Sequence, residues 1–143
     1  MVIRVSSRQV MAKFVNEVFY VDDSPDDRLF ASLCHTRGTF HFGLVMFSDG
    51  LSAIAEIERR SSGGQPLPGL VVVDHYMPGM DGPEVLRLIR ANPALDAMVL
   101  AVCSGGTDPV DQQTAREAGA QAVLEKPLDL GRCVSLLGAR QPR

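Results

Sequence analysis

LVVVDHYMPGMDG, residues Leu70 to Gly82, decides the fold of this chain. Leu70 to Val73 is apolar without alternation and rich in β-branched valine. Such a run suits a strand covered on both faces. It closes on Asp74. His75 to Gly82 then reads as a loop, with Pro78, Gly79 and Gly82 as its turn residues, and Pro83 can open a helix. A doubly covered strand followed by a loop and a helix is the repeating piece of a parallel α/β sheet.

Other apolar runs repeat the arrangement on either side. Val18 to Val21 ends at Asp22-Asp23, Met98 to Cys103 ends at Ser104, and Ala122 to Leu124 leads into Glu125-Lys126-Pro127. Phe40 to Phe47 is the remaining strand candidate. Helical patterns lie between them. Ser24-Pro25-Asp26-Asp27 reads as a capped helix start, with acidic groups at the positive end of the dipole. Phe30, Leu33 and Cys34 share a face of that helix. Asp49-Gly50 opens a second helix with Leu51, Ile54 and Ala55 inward. Ser61 to Gly69 is a turn-rich loop. Val85, Leu88 and Ile89 mark the inner face of the helix after Pro83. Asp108-Pro109 begins a fourth helix ending near Gly119, and Leu130, Cys133, Val134 and Leu137 mark a final one.

The chain has 143 residues, which suits one domain with a substantial core. A hydrophobic share of 45% and a charged share of 22% are those of an ordinary globule. The net charge of −3 and the absence of a basic run argue against nucleic acid or an anionic membrane as a direct partner. No apolar run approaches the ~18 residues of a bilayer span. Cys34, Cys103 and Cys133 have no paired spacing and read as free thiols in a reducing cytoplasm. Residues 1–16 read as an extension, expected to be a frayed tail in preference to a docking arm. Residues 17–138 form the expected domain and 139–143 a C-terminal tail.

In open parallel sheets, ligands bind beyond the carboxyl ends of the strands. Asp22, Asp23, Asp74, Ser104 and Lys126 all fall at such ends. Two carboxylates ~4 Å apart repel by about 4 kcal/mol at an effective dielectric near 20. A hard divalent cation removes that cost, and Mg²⁺ prefers such oxygen ligands. Three carboxylates, a hydroxyl and an ammonium at one sheet edge make a metal and phosphoryl site. His75 lacks a second histidine at ligand spacing and reads as a solvent-facing loop residue. Met77 and Met80 read as packing.

Asp74 followed by MPGMDG, the Val21-Asp22-Asp23 ending and Glu125-Lys126-Pro127 together resemble the receiver domains of two-component response regulators. The resemblance runs from about Glu17 to Leu137. It implies a doubly wound, five-stranded parallel sheet of strand order 2-1-3-4-5 in the three-layer flavodoxin-like and CheY-like arrangement. Asp74 would be the phosphoacceptor. Asp23, Asp74 and the backbone carbonyl of Tyr76 would ligate Mg²⁺, with Asp22 acting mainly through a metal-bound water. Lys126 and Ser104 would contact phosphoryl oxygens, and Pro127 would follow a cis peptide bond. The implied donor is a histidine kinase or a histidine phosphotransfer protein, and the output is an unidentified protein target. The chain is then a monomer or weak dimer in the cytoplasm with no turnover of an external substrate.

Two positions depart from the family pattern. Val123 stands where receivers carry Tyr or Phe, which opens the alternative of a phosphorylation-independent adaptor. Tyr76, two past Asp74, is the second departure, and its ring would shelter the acyl phosphate from water. It also occupies the place where a haloacid-dehalogenase-like phosphatase would need its second acid, which argues against that chemistry. Six residues follow Leu137, so a stand-alone receiver and a piece of a longer regulator both stay open.

Overall fold

The computed structural model describes residues 13–106 and 108–139. Five parallel strands form one sheet: β1 (Phe14–Val21), β2 (Gly43–Phe47), β3 (Leu67–Asp74), β4 (Val99–Ser104) and β5 (Ala122–Glu125). Their spatial order is β2-β1-β3-β4-β5, the expected 2-1-3-4-5. The helices are α1 (Pro25–Arg37), α2 (Gly50–Ser62), α3 (Gly82–Arg90), α4 (Pro109–Glu117) and α5 (Leu130–Gly138). A short 3₁₀ turn at Pro93–Leu95, absent from the sequence reading, follows α3.

Period-two alternation sends each strand's side chains into two separate cores. Phe19, Val21, Val71, Val73, Leu100 and Val102 pack with Ala53, Ile57, Val85, Leu86, Ile89 and Ala115 from α2, α3 and α4. Val18, Tyr20, Leu70, Val72, Ala101 and Cys103 pack on the other face with Ala31 of α1 and Leu130, Cys133 and Leu137 of α5. β3 is buried along its whole length, as its unbroken valines require. Each fully buried Val or Leu of this kind contributes roughly 1.5–3 kcal/mol.

Every helix starts on a side-chain cap. Ser24 accepts from the Asp27 amide and Asp49 from Ser52, while Asp108 accepts from Val110 and Asp129 from Gly131. Asp81 and Glu84 form a reciprocal capping box at α3. These caps fix the point at which each strand-end loop turns into its helix, and so fix the loops that carry the site.

Several element faces differ from the sequence reading. β1 begins at Phe14 rather than Val18, because Phe14 pairs with Leu67 of a β3 that itself begins three residues earlier than expected. β2 begins at Gly43. Phe40 and Phe42 instead form an aromatic group with His35 under α1. On α1 the buried residue is Ala31, and Phe30 and Leu33 are exposed. On α2, Ala53 and Ile57 are buried with Ile54 packed beside them, while Leu51 and Ala55 face out. Leu86 replaces Leu88 on the inner face of α3, and Val134 of α5 is exposed. Cys103 and Cys133 are buried and Cys34 partly so, and all three are free thiols. Residues 1–12 of the expected extension and residues 140–143 of the tail lie outside the described residues.

Candidate functional site

The register of the sheet brings the strand ends together. Asp74 pairs with Cys103, so Ser104 lies one step beyond it on β4, and Ser104 in turn pairs with Glu125 on β5. The Lys126 amide donates to the Ser104 carbonyl at 2.8 Å. Lys126 therefore leaves β5 beside Asp74, across the single intervening strand. The Lys126–Pro127 peptide is cis, as the resemblance implied.

Asp22, Asp23 and Asp74 form one cluster, with a ligand oxygen from each lying within 4.8 Å of the others. Asp22 has no exposed surface, Asp74 is 6% exposed, and Asp23 faces solvent. Lys126 Nζ lies 3.0 Å from Asp22 Oδ2, 3.2 Å from Asp74 Oδ1 and 2.8 Å from Asp27 Oδ2. Ser104 is buried, and its hydroxyl oxygen accepts from the Gly106 amide at 3.3 Å. Asp22, Asp23, Asp74, Ser104 and Lys126 thus converge. The Tyr76 side chain instead points outward and is 63% exposed.

The electrostatics follow from burial and neighbours. Burial and the nearby Asp22 push the Asp74 carboxyl up to about 6, against the pull of Lys126. Burial disfavours the charged ammonium of Lys126. Its bonds to Asp27 and Asp22 outweigh that and hold its pKa above the ordinary lysine value. Lys126 is therefore a fixed positive charge over Asp74. Three oxygen donors from carboxylates, one open to solvent, suit a hard cation that keeps several of its waters.

Three contributors were not read as site residues from the sequence. Tyr20, buried in β1, donates its phenol hydrogen to Asp22 Oδ2 at 2.6 Å, while the Ser24 amide donates to Asp22 Oδ1 at 2.9 Å. Burial and that bond raise the Tyr20 pKa, so the group stays a phenol and a donor. The sequence marks Asp27 only as a helix-dipole residue, yet it makes the shortest side-chain contact of Lys126. Its bond spans 99 positions of sequence. Asp111, in the first turn of α4, accepts from the Tyr76 hydroxyl at 2.6 Å. Tyr20 could have been noticed as a phenol two residues before an aspartate on the same strand face. Nothing local marks the other two.

His75 is corrected by the structure. It is 4% exposed rather than solvent-facing. Its amide donates to the Cys103 carbonyl and its carbonyl accepts from the Gly82 amide, so the chain is still tied to the sheet there. The imidazole is covered by the Tyr76 ring, with centroids 4.5 Å apart, and its Nε2 lies 3.9 Å from Asp111. Met77 is buried and Met80 packs against the same core, as expected.

The response regulator receiver domain model matches residues 18–137. The chain belongs to the response regulator receiver family. A rice protein described as two-component response regulator ORR1 is 30% identical over 118 residues, covering 80% of this chain and 50% of that protein. This receiver thus spans about half the length of that relative. Response regulator Rcp1 from Synechocystis is 30% identical over 115 residues, covering 79% of the receiver and 78% of Rcp1. A crystal structure of the Mn²⁺-bound form of Rcp1 superposes with a TM-score of 0.67 at 25% identity, covering 86% of the receiver and 89% of that chain. The chemotaxis protein CheY4 of Vibrio cholerae shares the fold, with a TM-score of 0.72 at 21% identity, covering 89% of the receiver and 99% of that chain. CheY-like two-component signalling is therefore the setting of this domain.

Proposed function

We propose that this receiver accepts a phosphoryl group on Asp74 from a histidine kinase or a histidine phosphotransfer protein, and passes the change on through protein contacts. The observation that carries the reading is Lys126 held 3.2 Å from the buried Asp74, with Asp22 and Asp23 beside it. One Asp74 carboxylate oxygen attacks phosphorus, the donor's nitrogen leaves, and a mixed anhydride forms. Lys126 pairs with a phosphoryl oxygen, and Ser104 donates its hydroxyl hydrogen to another. Tyr20 and the Ser24 amide hold Asp22 in place throughout.

Mg²⁺, held by Asp23, Asp74 and the Tyr76 carbonyl with Asp22 acting through water, would offset charge on the phosphoryl oxygens. The Mn²⁺-bound form of Rcp1 supports a divalent cation as the partner of this receiver too. The proposed unit is the expected 17–138 extended back to Phe14 at the start of β1, acting in the cytoplasm as a monomer or weak dimer, with phosphoryl acceptance and its own dephosphorylation as its only chemistry. Among the described residues, no helix is long and apolar enough to cross a membrane.

The test is incubation with acetyl phosphate, followed by intact-mass spectrometry. The native protein gains one phosphoryl group with Mg²⁺ and none with excess EDTA. Acceptance without a divalent cation would remove the metal from the account. No acceptance in either condition would favour the phosphorylation-independent adaptor that Val123 suggests.

A further inference from the structure

Lys126 has three N–H donors, and three carboxylates lie within 3.2 Å of its nitrogen, with the hydrogen bond going to Asp27. A phosphoryl oxygen at Asp74 needs one of those donors. The three partners are not equally free to give way. Asp22 has no exposed surface and is already fixed by Tyr20 and by the Ser24 amide. Asp74 is the group that carries phosphorus. Asp27 alone is part-exposed, its side chain 36% accessible, so water can replace the ammonium at its carboxylate at small cost. It also stands on a separate element, in the first turn of α1, with its amide held by the Ser24 hydroxyl.

We propose that Asp27 is the resting counterion of Lys126 and competes with the phosphoryl group for it. Asp27 is a positioning residue: it acts through the lysine and touches neither phosphorus nor metal. While the site lacks phosphorus, the Asp27 carboxylate draws the ammonium towards α1. When phosphorus arrives, the ammonium leaves Asp27 for a phosphoryl oxygen, and the freed carboxylate turns to water. Asp27 therefore lowers the occupancy of the phosphorylated form at any given donor level. It also joins the start of α1 to the state of Asp74. This inference rests on the phosphoacceptor reading above.

Beryllofluoride, which mimics a phosphoryl group on a carboxylate, is the probe. Its half-saturating concentration is measured on the full chain at saturating Mg²⁺ for native protein, Asp27→Asn, Asp27→Ala and Asp27→Glu, with folding checked by thermal melts. Asp27→Asn and Asp27→Ala are expected to bind at roughly threefold lower concentration, the scale of a part-exposed ion pair. Asp27→Glu, which restores the charge, is expected to return to the native value. Unchanged or weaker binding in Asp27→Asn would overturn the competition. So would Asp27→Glu matching Asp27→Asn, since charge would then be irrelevant. Native protein that binds no beryllofluoride would overturn the phosphoacceptor reading, and this inference with it.

Discussion

Asp74 sits in a conflict between its neighbours. Desolvation and Asp22 oppose its ionisation, and Lys126 favours it. The balance leaves the carboxyl at about 6 in the folded, metal-free protein, against 3.8 for a free group. The folded state then holds the proton more tightly than the unfolded chain. The ionised carboxylate opposes folding above pH 6, and the opposition fades as pH falls through 6 towards 3.8. Asp74→Asn removes the charge and keeps the shape. In EDTA near pH 7.5, urea unfolding should find this variant more stable than native protein by on the order of 1–3 kcal/mol. The difference should shrink steadily on acidification. A difference that is absent near neutrality, or grows as pH falls, would show that Asp74 is not strained in this way. A cation at the cluster relieves the same strain, so a site destabilised when empty is one prepared to bind.

At the scale of elements, the loop from β3 to α3 is pinned at both ends. The Gly82 amide bonds the His75 carbonyl, and a Cβ at Gly82 would lie 2.6 Å from the Asp74 carbonyl oxygen. Backbone approaches that closely only because no side chain is there. The Asp81 capping box then starts α3 at once. The motif Met80-Asp81-Gly82 is thus legible in physical terms as the device that holds the loop tight under Asp74. The same loop reaches α4 through the Tyr76–Asp111 bond, and the Tyr76 ring lies over His75. Tyr76→Phe keeps the ring and loses the tie. It should speed amide exchange in the first turn of α4 while leaving the acyl-phosphate lifetime near native. Tyr76→Ala also strips the ring from buried His75, the residue next to Asp74, which should let water reach the acyl phosphate and shorten its lifetime. Equal decay of native protein and Tyr76→Ala would reject the sheltering role.

At the scale of the molecule, the strands were legible because a doubly covered sheet writes itself as unbroken apolar runs, while their order was legible only through the resemblance to receiver domains. The site was legible because its main groups all follow such runs. Helix faces were less so. Leu29, Phe30, Leu33, Leu88 and Val134 are apolar yet exposed, and the positions that do pack on α1 and α2 include the small Ala31 and Ala53. On α1 and α2, periodicity of bulky residues therefore chose the wrong stripe because the small Ala31 and Ala53 take the positions packed on the sheet. Asp27 and Asp111 were missed for a different reason. Their partners, Lys126 and Tyr76, arrive from remote parts of the chain, and only the closed sheet places them within reach.

The central claim is that this convergence exists so that one particular carboxylate can carry phosphorus. The most direct measurement is to load the protein with acetyl phosphate and Mg²⁺, trap the acyl phosphate chemically, and map the modified peptide by tandem mass spectrometry. The account predicts the label on Asp74 alone, and no label in Asp74→Asn. A label on Asp22, Asp23 or Asp27, or an unlabelled protein under donor excess, would contradict it.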